Sequence, residues 1–219
     1  VSKHTANEDG VLYSFDLSTA YDPSTATHDS NSDIAIPNTS GDSGFLEPAD
    51  GRFDIDFSHD GTSLFILELH KQPDTPFEPR LYKYSLSTAW DISTADMNNP
   101  TVHSFHQNSD STREAGFAFG GNGTKLFVID RGTGETGSAI REYSLATPYD
   151  ISNMTEVRET SLDDEWIYKE GIYNIGLSAD NTKIYLSGSG EGTTGGYMYE
   201  FDLYEDPALS NDTDVDGDS

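Results

Sequence analysis

The chain has no cysteine, few basic residues (12 lysines and arginines against 39 acids), only 2 tryptophans, and no long apolar run in its 219 residues. Without thiols there are no disulfides, no thiolate metal ligands and no cysteine nucleophile. A secreted protein of this kind has to hold together by packing alone. No stretch approaches the ~18 consecutive apolar residues of a membrane-spanning helix, so membrane insertion is not expected. A formal net charge of -27 repels phosphates and anionic lipid, which argues against a nucleic-acid partner. The same surplus keeps a protein soluble. It suits work in high salt, where ions screen the self-repulsion, and equally suits the collection of calcium. The first residue is Val1 rather than Met, which reads as a processed or partial chain, so the lack of a leader says nothing about the compartment.

What the chain does have is a repeat. Phe57-Ser-His-Asp-Gly-Thr-Ser-Leu-Phe-Ile returns as Phe119-Gly-Gly-Asn-Gly-Thr-Lys-Leu-Phe-Val and again as Leu177-Ser-Ala-Asp-Asn-Thr-Lys-Ile-Tyr-Leu. A second motif alternates with it, beginning at Leu12, Leu81, Ile140 and, degraded, Met198, and its leucines Leu86, Leu145 and Leu203 recur at spacings of 59 and 58 residues. Asp60-Gly61, Asn122-Gly123 and Asp180-Asn181 each divide two apolar-rich runs, a hairpin signal because both turn residues tolerate positive φ. Phe53, Ile55 and Phe57 alternate with polar residues, whereas Leu64 to Leu69 is nearly continuous and reads as a more buried strand. A shorter fourth strand is expected near Val102 to Phe105 and near Glu156 to Thr160. No segment carries a helical period; short turns are expected at Trp90-Asp91 and Tyr149-Asp150, with the aspartate capping and the aromatic packing back on the sheet.

These observations predict an all-β chain of β-propeller-type repeats, four-stranded antiparallel blades, about three to four of them. The repeat region spans 1–206, with blade cores near 51–112, 113–162 and 170–206, a partial blade at 11–37, and an acidic tail at 207–219. In strand order the chain reads third and fourth, two complete blades, then first, second and third. It does not close on itself, so a longer chain, further copies or a partner strand would complete the ring. The hairpin followed by Tyr-Ser-Leu-Ser-Thr-Ala-Trp-Asp resembles the blade repeat of secreted seven-bladed-type, YVTN- or NHL-like β-propellers, above all those of microbial surface proteins and viral structural proteins. The resemblance implies a fold rather than an activity, since such blades serve binding, scaffold and enzyme proteins alike.

Candidate sites are few. Asp212, Asp214 and Asp216, followed by Gly217, resemble the opening of a thrombospondin type 3 or dockerin-like calcium repeat, in which alternating acids surround one hard cation; the competing reading is a solvated tail. Asp50, Glu114 and Glu170 precede the first strand of each unit, where a ring of carboxylates could bind cations at a channel mouth, although turn and capping roles weigh more. Four N-x-[ST] triplets, at Asn38, Asn122, Asn153 and Asn211, are acceptors for glycans if the protein is secreted. Gly132-Thr-Gly-Glu-Thr-Gly137 has nucleotide-loop spacing, but a strand rather than a helix follows, which removes the phosphate cradle. His103 and His106 are three apart on a strand and face opposite ways. Tyr21, Trp90 and Tyr149 recur at one repeat position, which favours packing over a sugar platform. No hydrolase or metalloprotease motif occurs.

The expectation is therefore a non-enzymatic extracellular module at a cell surface, in a filament or in a virion, stabilised by calcium, with protein subunits and glycans as partners. The alternative is a secreted propeller hydrolase or lyase acting on polysaccharide through a carboxylate cluster; a third is a ligand-sensing ectodomain with an aromatic-lined pocket.

Overall fold

The computed structural model describes residues 11–36, 53–68, 79–105, 114–130, 138–162, 172–189 and 196–203. They form antiparallel sheets, and the helical pieces among them are short 3-10 turns. Strands β5 (Phe53–Phe57), β6 (Ser63–Glu68), β7 (Arg80–Ser85) and β8 (Thr101–Ser104) make one four-stranded meander. A second consists of β9 (Glu114–Gly120), β10 (Lys125–Asp130), β11 (Ala139–Leu145) and β12 (Met154–Ser161). A third has three strands, β13 (Ile172–Leu177), β14 (Lys183–Ser189) and β15 (Gly196–Asp202). Ahead of them lies a broken ribbon: β1 (Val11–Leu12) pairs with β4 (Ile34–Ala35), and β2 (Phe15–Leu17) with β3 (Ala26–His28). The expected fourth strand near Glu156 to Thr160 is not short; β12 has 8 residues and is mostly exposed.

The repeated turns explain the meander. Ser58 N–H donates to the Ser63 carbonyl at 3.0 Å and Gly61 N–H to the Ser58 carbonyl at 2.8 Å. The Asp60 carboxylate accepts from Ser58 Oγ at 2.6 Å, Thr62 Oγ1 at 2.8 Å and Thr62 N–H at 3.0 Å. Ser178, Asp180 and Thr182 repeat those bonds at 2.6, 2.8 and 3.1 Å. Both turn residues have positive φ only in the middle hairpin, at Asn122 and Gly123. In the other two, Gly61 or Asn181 alone is left-handed, because the aspartate before it closes the turn with its side chain instead. Each turn also fixes the third strand: Leu86, Leu145 and Leu203 donate their N–H to the carbonyls of Thr62, Thr124 and Thr182 at 2.9, 2.9 and 2.8 Å. This is the physical basis of the leucine column seen in the sequence.

The aromatic-aspartate turns form as expected. Asp22, Asp91 and Asp150 each accept from the N–H of the serine two residues on at 3.0 Å and from its hydroxyl at 2.6 Å. The preceding aromatics, Tyr21, Trp90 and Tyr149, have φ of 63, 67 and 60°, a conformation that costs an L-residue roughly 1–2 kcal/mol. Two of them recover it through contacts. Trp90 N–H donates to the Gly61 carbonyl at 2.9 Å and Tyr149 N–H to the Gly123 carbonyl at 2.8 Å. Their rings cover those glycines so closely that an added Cβ would lie 2.4 Å from ring atoms at either site. Glycine is thus required there both for its φ and for the ring above it.

The sheets stack face to face. Along β6, Leu64 and Ile66 pack toward the ribbon with Leu12, Ile36, Tyr82 and Tyr84, while Phe65 and Leu67 pack toward the second meander. Along β10, Leu126 and Val128 join that first interface and Phe127 and Ile129 meet the third sheet through Ile172, Ile184 and Leu186. The two central second strands are therefore buried on both faces, which is why they read as continuous apolar runs. Burying such a side chain stabilises the fold by about 1.5–3 kcal/mol each. On the second meander, charge is neutralised by pairing: Lys125 meets Glu142 at 2.6 Å and Arg141 meets Asp130 at 2.9 Å.

Candidate functional site

The first strands of the three meanders, β5, β9 and β13, border one cavity of about 480 Å³. Strand β9 lies between the other two and contacts both. The three hairpins contribute His59, Asn122 and Asn181 to its rim, and Tyr149 reaches it from the second sheet. Tyr149 joins two sheets here, because its hydroxyl accepts from His59 N–H at 3.1 Å and its ring stands 5.2 Å from that of Phe119 and 6.0 Å from that of Phe65. Gly176 forms an open part of the wall; a Cβ there would touch nothing within 4 Å.

The polar wall is supplied by Asp54 and Asp56, two apart on β5 and so on one face. Asp54 Oδ2 accepts from Phe117 N–H at 2.9 Å and its Oδ1 from Ile55 N–H at 3.0 Å. Asp56 Oδ1 accepts from Phe57 N–H at 2.8 Å, and Phe119 N–H also donates to this carboxylate. The pair thus takes up amide groups along the edge of β9 that no strand pairs, groups that would otherwise be costly to leave unsatisfied. Burial pushes both carboxyls above the ordinary range, and the backbone N–H bonds only partly oppose it.

Along β5, where apolar and acidic residues alternate, Ile55 is 46% exposed while Asp54 and Asp56 are half-buried. The reason is that β5 is an edge strand beside a polar cavity, with its acids turned to the neighbouring backbone. The Phe-Asp-Ile-Asp-Phe segment was the available signal, two acids at strand spacing in the first strand of a unit, and it has no counterpart in the later repeats, where Ala118 and Gly176 occupy the position of Asp56.

Of the other candidates, Glu114 is the first residue of β9, its backbone opposite Asp130 at a register shift. Asp50 and Glu170 lie outside the described residues, as do Asp212, Asp214, Asp216, Asn38, Asn211 and His106. Asn122 is exposed at the tip of its hairpin with φ 53°, and Asn153 is exposed in a 3-10 turn, with its amide donating to Ser152 Oγ at 3.1 Å. Among the described residues no three His, Cys, Asp or Glu side chains come together as a metal site. The carboxylate oxygens of the cavity are engaged mainly by backbone N–H, and Ser58, the nearby hydroxyl, donates to Asp60. What the arrangement does chemically is seal a strand edge while leaving an acidic, water-accessible recess. No protein-family model matches this chain, and a search of curated proteins finds no match.

Proposed function

We propose that this chain builds propeller-type blades of a non-enzymatic extracellular protein, acting in surface, filament or virion assembly, with calcium on its acidic loops. The observation that carries the reading is the stacking of three successive meanders face to face with their first strands β5, β9 and β13 bordering one cavity, an arrangement that blades around a channel would also give. The repeat resemblance and the acidic surplus support the extracellular setting. Partners are protein subunits, with glycans on the exposed asparagines Asn122 and Asn153 in a glycosylating host.

One observation favours a second reading, a polysaccharide hydrolase or lyase. Asp54 and Asp56 are half-buried and held protonated to higher pH than usual, the property a general acid needs. Thermal melts with calcium and with chelator, alongside assays for reducing-end release from acidic and neutral polysaccharides, separate the two. The assembly reading expects a calcium-dependent rise in melting temperature and no turnover. Sugar release that is abolished in Asp54→Asn would replace it with the enzyme reading.

A further inference from the structure

Resting on the stacked-blade reading, we infer that this chain associates head to tail with further copies of itself, the outer face of its N-terminal ribbon packing on the outer face of its C-terminal sheet. The molecule contains the pattern of that contact in its own interior. On β7, Tyr82, Tyr84 and Leu86 are buried against the sheet that precedes them, and on β11 Tyr143 and Leu145 are buried in the same way. Their repeat equivalents on the ribbon are Tyr13, Phe15 and Leu17. These have no preceding sheet among the described residues, and Phe15 and Leu17 stand 47% and 44% exposed where Tyr84 and Leu86 are 1% and 7%.

The complementary half is at the other end. Phe65 and Leu81, then Phe127 and Ile140, face the sheet that follows. Their equivalents on the last sheet are Tyr185 and Met198. Ile184, Leu186, Tyr199 and Phe201 point back into the preceding interface, so alternation turns Tyr185 and Met198 outward, and Met198 is 76% exposed. One face therefore offers what an inner sheet presents to its predecessor, and the other what it presents to its successor. They do not cover each other within one chain, as their exposures record. Tyr21 extends the match. Tyr149 crosses to the preceding sheet and accepts from His59 N–H; the repeat equivalent of His59 is Ala179, on the hairpin of the last sheet. A second copy stacked in the same geometry brings its Ala179 N–H toward the Tyr21 hydroxyl, which is otherwise without a partner among the described residues. Such a contact is heterologous, so it closes into rings or continues as a filament.

Sedimentation velocity of the 219-residue chain tests this, in about 0.1 M and about 2 M salt because exposed charge opposes association until it is screened. Phe15→Glu spoils the ribbon face and Met198→Glu the sheet face; both positions are exposed, and near-UV circular dichroism with a thermal melt checks that each variant folds. The wild type is expected to form concentration-dependent oligomers in high salt. Each variant alone should remain monomeric, and an equimolar mixture should stop at dimers, since one intact face of each kind remains between them. A wild type that stays monomeric while melting cooperatively overturns the contact and leaves the stacked-sheet reading standing, with ring closure within a chain or another protein as the cover. Oligomers unaffected by either substitution, or single variants that still self-associate, also overturn it. A chain with no cooperative melt removes the blade reading and the contact together.

Discussion

The N-terminal ribbon and the β5–β8 sheet are written in nearly the same letters and end in opposite surroundings. Leu-Tyr-Ser-Phe-Asp-Leu-Ser-Thr-Ala-Tyr-Asp and Leu-Tyr-Lys-Tyr-Ser-Leu-Ser-Thr-Ala-Trp-Asp build the same left-handed aromatic and the same aspartate cap, behind a strand that is continuous in β7 and broken between β1 and β2. Yet Trp90 lies on Gly61 while Tyr21 is 98% exposed. The difference teaches that the local code and the packing code are separable here: the turn forms from its own side-chain bonds, and the neighbouring sheet decides whether the apolar face is covered.

Substitutions that break this contrast fall in a definite order. Leu126→Ala, in a strand buried on both faces, is expected to cost about 2–5 kcal/mol, whereas Phe15→Ala on the open ribbon should cost less than about 1 kcal/mol by the area rule; urea denaturation of the two variants compares them. Next comes Gly123→Ala, expected to lose about 1–3 kcal/mol or more, since it forces a side chain into a φ of 86° and against the Tyr149 ring. Asn181→Gly, at the matching position of the hairpin whose unit has Pro207 in the place of Tyr149, should change stability by less than about 1 kcal/mol. The same melts sharpen the comparison at the aromatics. Tyr149→Gly removes ring contacts on two sheets and should destabilise by roughly 1–3 kcal/mol, while Tyr21→Gly relieves a strained φ, offsets it with unfolded-state entropy, and should stay within about 1 kcal/mol of zero.

The smallest effects are those of pH, and the two sets of acids have opposite signs. Asp60 and Asp180 are held down to about 2 by the serine and threonine donors of their turns. Their contribution is complete above the ordinary value of 3.8 and is lost as pH falls through about 2. Asp54 and Asp56 are pushed up by burial, so their charge opposes folding at neutral pH, and stability recovers as pH falls through their raised values. Urea midpoints against pH should therefore rise in Asp54→Asn relative to wild type near neutrality and converge in mild acid. In Asp60→Asn the difference should instead be largest at neutral pH as a loss and vanish below about 2.

Much of this was legible in the sequence. The hairpins, the aspartate caps, the doubly buried β6 and the leucine column follow from local chemistry, in which each signal names its own bond partner. The cavity acids were not, because the inward face of an edge strand depends on what the neighbouring sheet leaves unpaired, and the Phe-Asp-Ile-Asp-Phe alternation is equally consistent with either face. The length of β12 was missed for a related reason: Met154–Ser161 is an exposed strand, held by pairing to β11 and carrying little apolar pattern of its own. The positive φ of Tyr21, Trp90 and Tyr149 also lay beyond local propensity, since bulky aromatics rarely adopt it and only a glycine more than twenty residues upstream, Gly61 or Gly123, explains two of them.

Amide hydrogen exchange on the monomeric chain in low salt tests the central claim most directly. The N–H groups of Trp90 and Tyr149, bonded to Gly61 and Gly123, should be protected together with those of Leu86, Leu145 and Leu203, and the N–H of Tyr21 should exchange rapidly. Protection of Tyr21 equal to that of Trp90 and Tyr149 in the monomer would contradict the account, because the ribbon would then already carry the cover that the interior sheets have.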